Sequence, residues 1–101
     1  MLWVRNFEGL VDFLSLVIVH APDDFPKEDY LRDEEQLTLE MAFEEIGNGM
    51  RFVVDKIPDE KVLQQLRSHF NSSLAAYRQG DDIKGAHFLQ NFERIILEQN
   101  Y

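Results

Sequence analysis

The side chains of this chain that are best suited to do chemistry are carboxylates, and they are concentrated in one stretch. Ten of the nineteen acidic residues lie between Asp23 and Glu45, where only Lys27 and Arg32 offset them, so these 23 residues carry a net charge of −8. The other 78 residues are close to neutral, with nine acidic and eight basic side chains. A localised acidic surface attracts a basic partner or a cation and repels nucleic acid.

The first chemistry to consider is metal binding. Residues 23–29 could gather oxygens around Ca²⁺ or Mg²⁺, but they lack the alternating carboxylates, central Gly and terminal Glu of a calcium-binding helical loop. A di-iron or di-manganese centre needs Glu-x-x-His on two helices. The residues three before the histidines are instead Val17, Leu66 and Lys84. We therefore expect no metal and no cofactor.

Catalytic and nucleotide-binding motifs are also missing from the sequence. Ser68, Ser72 and Ser73 lie near His69, but a hydrolase would also need a strained nucleophile turn and an oxyanion hole. The Gly-Asn-Gly at 47–49 follows a helical pattern and has no Lys-Ser/Thr after it, unlike a phosphate-binding loop. Lys and Arg are spread singly, so no basic stripe exists to neutralise phosphates. We expect neither catalysis nor nucleic-acid binding.

Composition limits the class of protein. With 101 residues, 45% of them apolar, the chain can build one core, and we predict a single domain over residues 1–101. The absence of Cys fits a reducing compartment. The apolar run from Leu10 to Val19 resembles a secretion signal, but Glu8 and Asp12 interrupt the segment and Pro22 would follow the cut. The run is also far shorter than the roughly 20 residues that span a bilayer. The sequence predicts a soluble, cytoplasmic protein without membrane contact.

The first element that must position the carboxylates is a helix from Asn6, whose side chain can cap it, to about His20. Its apolar residues cover far more than one stripe. Such a helix is either central in the fold or shared with another subunit. We predict a homodimer whose interface includes Phe13, Leu16 and Val19.

A competing interpretation makes Leu14–Val19 a strand paired with Met50–Ile57, because β-branched residues favour strands. The second segment argues for helix instead, since its apolar residues are spaced 4, 3, 4, 3 and 4. They are Leu39, Phe43, Ile46, Met50, Val53 and Ile57. We predict one long helix from about Leu31 to Ile57, on the order of 40 Å in length. At residues 47–49 it should kink, end and restart, or let another backbone approach closely.

The C-terminal half is predicted to be a helical hairpin. Residues 57–60 (Ile-Pro-Asp-Glu) mark a stop and a restart. The apolar face of the third helix comprises Val62, Leu63, Leu66, Phe70, Leu74 and Tyr77. Gly80 suits a left-handed cap, and Asp81 or Asp82 can cap the fourth helix. That helix should bury Ile83, Ala86, Leu89, Phe92 and Ile96. The prediction is an all-α, four-helix up-down bundle.

The turn from Tyr77 to Asp81, together with Gly85 and Leu89, is similar to the turn between the two helices of a tetratricopeptide repeat. The likeness occurs once, whereas such repeats recur about every 34 residues and need stacked neighbours. The resemblance therefore implies shared hairpin chemistry and no membership of that family.

These observations predict a non-catalytic protein-interaction module that presents an acidic surface to a basic protein partner. Adaptors, secretion chaperones and immunity proteins are similar in size, charge and helicity. The predicted contact residues are Asp23, Asp24, Glu28, Asp29, Asp33, Glu34 and Glu35. Two alternatives remain open: a small metal- or ligand-binding helical enzyme that uses convergent carboxylates of 23–45, and an acidic mimic of nucleic acid with carboxylates spaced along one long helix face.

Overall fold

The computed structural model describes residues 4–27 and 29–99, which form four α-helices and one short 3₁₀ turn. The helices are α1 (Phe7–His20), α2 (Leu39–Lys56), α3 (Glu60–Arg78) and α4 (Asp82–Glu98), and the 3₁₀ turn is Asp33–Glu35. The predicted all-α bundle is confirmed. No strand occurs among the described residues, so the competing strand pairing is wrong. None of the helices in this part of the chain is long and apolar enough to cross a membrane.

Each helix begins at a residue whose side chain accepts a hydrogen bond from a backbone N–H of the first turn. These caps are Asn6 for α1, Thr38 for α2, Asp59 for α3 and Asp81 for α4. A cap of this kind satisfies an amide that has no partner inside the helix, and losing it costs about 0.5–2 kcal/mol. A local capping side chain therefore marks the start of each of the four helices.

The second helix is shorter than predicted, because it begins at Leu39 and not near Leu31. Thr38 adopts an extended conformation and caps α2, and the residues before it form a bend and the 3₁₀ turn. Leu31 and Leu37 in this preceding segment are both buried, and Leu37 joins the apolar core cluster of the bundle. The 18 residues of α2 span about 27 Å at 1.5 Å per residue. The acids at 33–35 consequently lie before the long helix and not in its first turns.

Helix α2 continues through Gly47 and Gly49 without a break. Gly49 faces α1, where a Cβ atom would lie 2.9 Å from Leu10 Cδ1 and 3.1 Å from Val4 Cγ1. The predicted end and restart is therefore wrong, and the atoms that approach Gly49 closely belong to the side chains of Leu10 and Val4 and not to another backbone. Gly47 is exposed, and a Cβ atom there would meet Phe70 Cζ at 3.7 Å, which is an ordinary contact.

Helices α3 and α4 form the predicted antiparallel hairpin. Gly80 in the turn has a φ of +83°, the left-handed conformation that glycine adopts without strain. Near the turn, Ser73 Oγ donates a hydrogen bond of 2.6 Å to the Gly85 carbonyl. Further from it, the rings of Phe70 and Phe92 lie 6.3 Å apart. Residues successively farther from the turn thus face each other along the two helices.

One cluster of buried apolar side chains joins all four helices, and α1 packs against both α2 and α4. Most apolar residues of α1 therefore pack against other helices of the same chain. The prediction that Ile83 is buried is wrong, since its side chain is 85% exposed. Ile83 lies nine residues before Phe92, about two and a half helical turns, and so points away from the face that packs on α3.

Candidate functional site

The predicted partner-binding carboxylates lie on the connection between α1 and α2. We call residues 23–35 the acidic segment. Exposed carboxylates belong to Asp23, Asp24, Asp29, Asp33 and Glu34, and Glu35 is half-buried. Glu28 lies outside the described residues. The described carboxylates therefore face solvent as the interaction hypothesis requires.

The acidic segment is tied to the bundle at both ends. At its start the Asp24 N–H donates to the His20 carbonyl at 2.9 Å, so the chain leaves α1 through one further turn. Leu31 and Leu37 are buried, and between them Gln36 Nε2 donates to the Leu31 carbonyl at 2.9 Å. These apolar anchors leave the neighbouring acidic side chains on the outside.

Arg32 offsets part of the charge of the acidic segment. Its Nε lies 3.4 Å from Glu34 Oε1 and 3.3 Å from Glu35 Oε1, and its backbone N–H also donates to Glu35 Oε1 at 3.0 Å. Glu35 thereby closes the 3₁₀ turn. Exposed ion pairs of this kind contribute about 0–1 kcal/mol. Within the acidic segment, the described carboxylates with no ionic partner among the described residues are those of Asp23, Asp24, Asp29 and Asp33.

An open hollow of about 300 Å³ lies beside the acidic segment. Its apolar lining is Pro22, Phe25, Leu37 and Leu39, and its polar lining is Asp23, Lys27, Gln36 and Thr38. Tyr30, on the same segment, is 70% exposed. The segment thus offers apolar contact area next to its carboxylates.

The remaining carboxylates of the 23–45 stretch belong to other parts of the surface or to the interior. Arg78 donates two hydrogen bonds to Glu40, of 3.0 and 2.7 Å, which join the first turn of α2 to the last turn of α3. These bonds lower the pKa of Glu40 below its ordinary value. Glu45 is buried and accepts the Val4 N–H at 3.4 Å. Glu44 is exposed on α2.

The candidate catalytic serines and two of the three histidines lie in the hairpin of α3 and α4. Across the described residues, no three histidine or acidic side chains come together as metal ligands. Ser73 is fully buried, and its hydroxyl is used in the hydrogen bond to Gly85. The His69 ring lies 6.1 Å from the Phe88 ring, and His87 is exposed. The helical hairpin accounts for Ser73 and His69 as packing residues.

The residues predicted to form a dimer interface lie in three different environments. Phe13 is only 6% exposed and belongs to the core, and Leu16 is partly buried against it. Val19 is 73% exposed. Because Phe13 and Leu16 contact the core of their own chain, Val19 is the one member of the three that is fully on the surface. The homodimer remains a prediction that depends on Val19.

Sequence reasoning missed the contact between Tyr77 and Gly85. A Cβ atom at Gly85 would lie 2.7–2.8 Å from three ring carbons of Tyr77, so only glycine fits there. The ring also meets Phe43 edge-on at 5.9 Å, and the described residues offer its hydroxyl no hydrogen-bond partner. Burial, aided by the charge of Asp82, raises the pKa of Tyr77. Gly85 inside a predicted helix, where glycine is about 1 kcal/mol less favourable than alanine, was the sequence feature that could have indicated this close contact.

In comparisons with known proteins, no protein-family model, curated protein or solved structure matches this chain. Its residues are thus the guide to its function. Exposed carboxylates without ionic partners attract cationic groups through their charge. An apolar hollow beside them adds contact area for a partner.

Proposed function

We propose that this protein is a non-catalytic interaction module, of an adaptor-, chaperone- or immunity-like kind, whose acidic segment binds a basic region of a partner protein. The observation that supports this proposal best is the outward-facing set of carboxylates at Asp23, Asp24, Asp29 and Asp33, which have no ionic partner among the described residues. A surface of one sign steers a partner of the opposite sign during diffusion and raises the rate of association.

The apolar features of the acidic segment give the proposed contact its specificity. Tyrosine is enriched among the residues that dominate binding energy, and such residues pack into desolvated pockets. Tyr30 supplies an exposed ring, and the hollow beside Phe25 and Leu37 can receive an apolar side chain of the partner. Basic side chains of the partner pair with the surrounding carboxylates. Charge thus brings the partner in, and the apolar contacts hold it.

Anchoring of the acidic segment supports the same proposal. A loop that is ordered before binding loses less conformational entropy when it binds. Leu31 and Leu37 are buried, and Glu35 closes the 3₁₀ turn with Arg32. The carboxylates are therefore held on a defined stretch of backbone before the partner arrives.

The two alternative functions lack a comparable supporting observation. A metal- or ligand-binding enzyme needs convergent carboxylates, and no metal-ligand set occurs in the described part of the chain. A nucleic-acid mimic needs carboxylates along one long helix face. Of the seven exposed acids described in residues 23–45, five instead precede α2. On α2 itself, Glu40 is bound by Arg78 and Glu45 accepts from Val4, which leaves Glu44.

Co-purification from native lysate tests the proposal with two matched variants. Asp24→Asn/Asp33→Asn removes two unpaired carboxylates of the acidic segment and leaves the Arg32 contacts intact. Asp55→Asn/Asp82→Asn removes two exposed carboxylates from α2 and α4, with the same change in net charge. We expect a basic protein to co-purify with the unmodified chain and with the control at low salt.

The same partner should be recovered less with the Asp24→Asn/Asp33→Asn variant. It should also be lost from all three proteins as salt rises past about 0.15 M, where the screening length is about 8 Å. Equal recovery of a partner by both variants at every salt concentration would mean that the acidic segment is only a solvated surface.

We further propose that two copies of the chain associate through Val19 and that the protein acts in the cytoplasm. Val19 is a large apolar side chain left exposed by the packing of α1. The lack of cysteine supports a reducing compartment. Sedimentation velocity of the unmodified chain at micromolar concentration tests the association, and a monomer there would refute it.

A further inference from the structure

A second acidic and apolar surface lies between α1 and α4, and it shares no residue with the acidic segment. It is a groove of about 210 Å³ lined by Phe7, Glu8, Val11, Asp12 and Leu97. We call it the α1–α4 groove. It is smaller than the roughly 300–1,000 Å³ of sites that hold small-molecule ligands. Its size therefore suits a single side chain better than a free metabolite.

The apolar walls of the α1–α4 groove come from both helices. Leu97 of α4 is 54% exposed, Val11 of α1 is partly buried, and Phe7 lies buried beneath them. Further along the two helices, Ser15 Oγ donates to Glu93 Oε2 at 2.8 Å, which ties α1 to α4. The exposed Leu97 side chain thus lies beside an interface between α1 and α4 that the Ser15–Glu93 hydrogen bond stabilises.

Glu8 and Asp12 are the charged residues among the described residues that line the groove. These carboxylates are four residues apart on α1, where like charges share a helix face and destabilise it. The positive end of the helix accounts for an acid at Glu8, in the first turn, but not for Asp12 one turn later. Among the described residues, neither side chain has a hydrogen-bond or ionic partner, and none of the residues that line the groove is basic. The Lys56 Nζ lies 5.7 Å from the centre of the Phe7 ring, so one cation already lies against the floor of the groove. A cation placed between the two carboxylates would relieve their repulsion.

We propose that the α1–α4 groove binds a lysine or arginine side chain of a partner protein. Long basic side chains lay their aliphatic stems along apolar surface and leave the charged end free. Here the stem lies on Val11 and Leu97, and the charged end lies between Glu8 and Asp12. This contact goes beyond the proposed function, because it assigns a second binding surface on other helices. Either binding proposal can be refuted while the other remains valid.

The test uses a capped peptide of sequence Arg-Leu-Ala-Arg-Leu-Ala as the probe and the methyl resonances of the protein as the readout. We expect saturable shifts at Val11 and Leu97. Glu8→Gln/Asp12→Asn should weaken the affinity derived from these shifts about tenfold, the effect of losing two charged contacts. Glu44→Gln/Asp55→Asn, which changes the net charge equally on α2, should leave that affinity unchanged.

Further arms separate groove binding from general attraction of a cation. Leu97→Gln should weaken binding as well, because it removes the apolar wall without touching the charge, and a peptide with Glu in place of Arg should cause no shift. Asp24→Asn/Asp33→Asn, which tests the acidic segment, should leave the shifts at Val11 and Leu97 intact.

Three results would overturn the proposal. The first is a peptide whose effects are confined to the acidic segment, and the second is unchanged affinity in the Glu8→Gln/Asp12→Asn variant. The third is a set of shifts at Val11 and Leu97 that depend on protein concentration without peptide, since a second copy of the chain would then occupy the groove.

Discussion

Gly47 and Gly49 lie two residues apart in α2, and replacing each with alanine should change stability in different directions. Both lie inside a helix, where alanine is favoured over glycine by about 1 kcal/mol. At Gly47 the new methyl group would meet Phe70 Cζ at 3.7 Å, an ordinary van der Waals contact. We therefore expect Gly47→Ala to raise the free energy of unfolding by about 0.5–1 kcal/mol.

At Gly49 the same gain is opposed by a steric clash. The new Cβ atom would lie 2.9 Å from Leu10 Cδ1 and 3.1 Å from Val4 Cγ1, and both of these side chains are buried. Forcing an extra methyl group into a packed core costs about 1–3 kcal/mol. The net effect of Gly49→Ala is then a loss of about 0–2 kcal/mol of stability. The two variants should differ by about 1–3 kcal/mol.

Urea unfolding followed by far-ultraviolet circular dichroism measures this difference. For a domain of this size, about 1 kcal/mol corresponds to about 4–8 °C in melting temperature, so thermal unfolding offers an independent check. Equal stabilisation by both substitutions would refute the reasoning, because α1 and α2 would then not meet at Gly49. Equal destabilisation would refute it as well, because Gly47 would then have a packing role that its surroundings do not show.

Four further predictions concern ionisation, a buried hydroxyl and association. The pKa of Tyr77 is raised in the folded protein, so its contribution to the free energy of unfolding is fully present below the ordinary tyrosine pKa of about 10. That contribution is lost as pH rises through the higher pKa of the folded protein. Tyr77→Phe should therefore reduce the decrease in melting temperature that is seen at alkaline pH. The same variant should gain about 1 kcal/mol at neutral pH, because it removes a buried hydroxyl with no partner among the described residues. The pKa of Glu40 is lowered in the folded protein, so its contribution to stability is fully present above the ordinary glutamate pKa of about 4.3 and is lost as pH falls through the lower pKa of the folded protein. Glu40→Gln should therefore make the melting temperature depend less on pH under acidic conditions. Val19→Glu should sediment as a monomer where the unmodified chain is a dimer.

Much of the helical framework could be predicted from local sequence. The cap at Asn6 and the left-handed turn at Gly80 depend on neighbouring backbone atoms, and the apolar spacing that begins at Leu39 marks α2 as a helix. The residues before Leu39 could not be placed in this way. Their conformation depends on the burial of Leu31 and Leu37 against the bundle, which overrides the helix-forming composition around them.

That the acidic segment is exposed could be predicted from the sequence. Which carboxylates of the 23–45 stretch are paired or buried could not. Glu40 meets Arg78, a residue 38 positions away, and no local rule brings those two side chains together. Glu45 is buried and accepts a hydrogen bond from the N–H of Val4, a residue 41 positions away. Charge counted along the sequence therefore overstated the unpaired acidic surface of residues 23–45, because Glu40 is paired with Arg78 and Glu45 is buried.

The rate at which the co-purified basic partner associates with the protein tests the central proposal most directly. It should be measured by surface-based kinetics for the unmodified chain, Asp24→Asn/Asp33→Asn and Asp55→Asn/Asp82→Asn, at salt concentrations on both sides of about 0.15 M. We predict slower association and a weaker salt dependence for Asp24→Asn/Asp33→Asn alone, with dissociation less affected because exposed charges chiefly steer encounter. Identical association rates and salt dependence for all three proteins would contradict it.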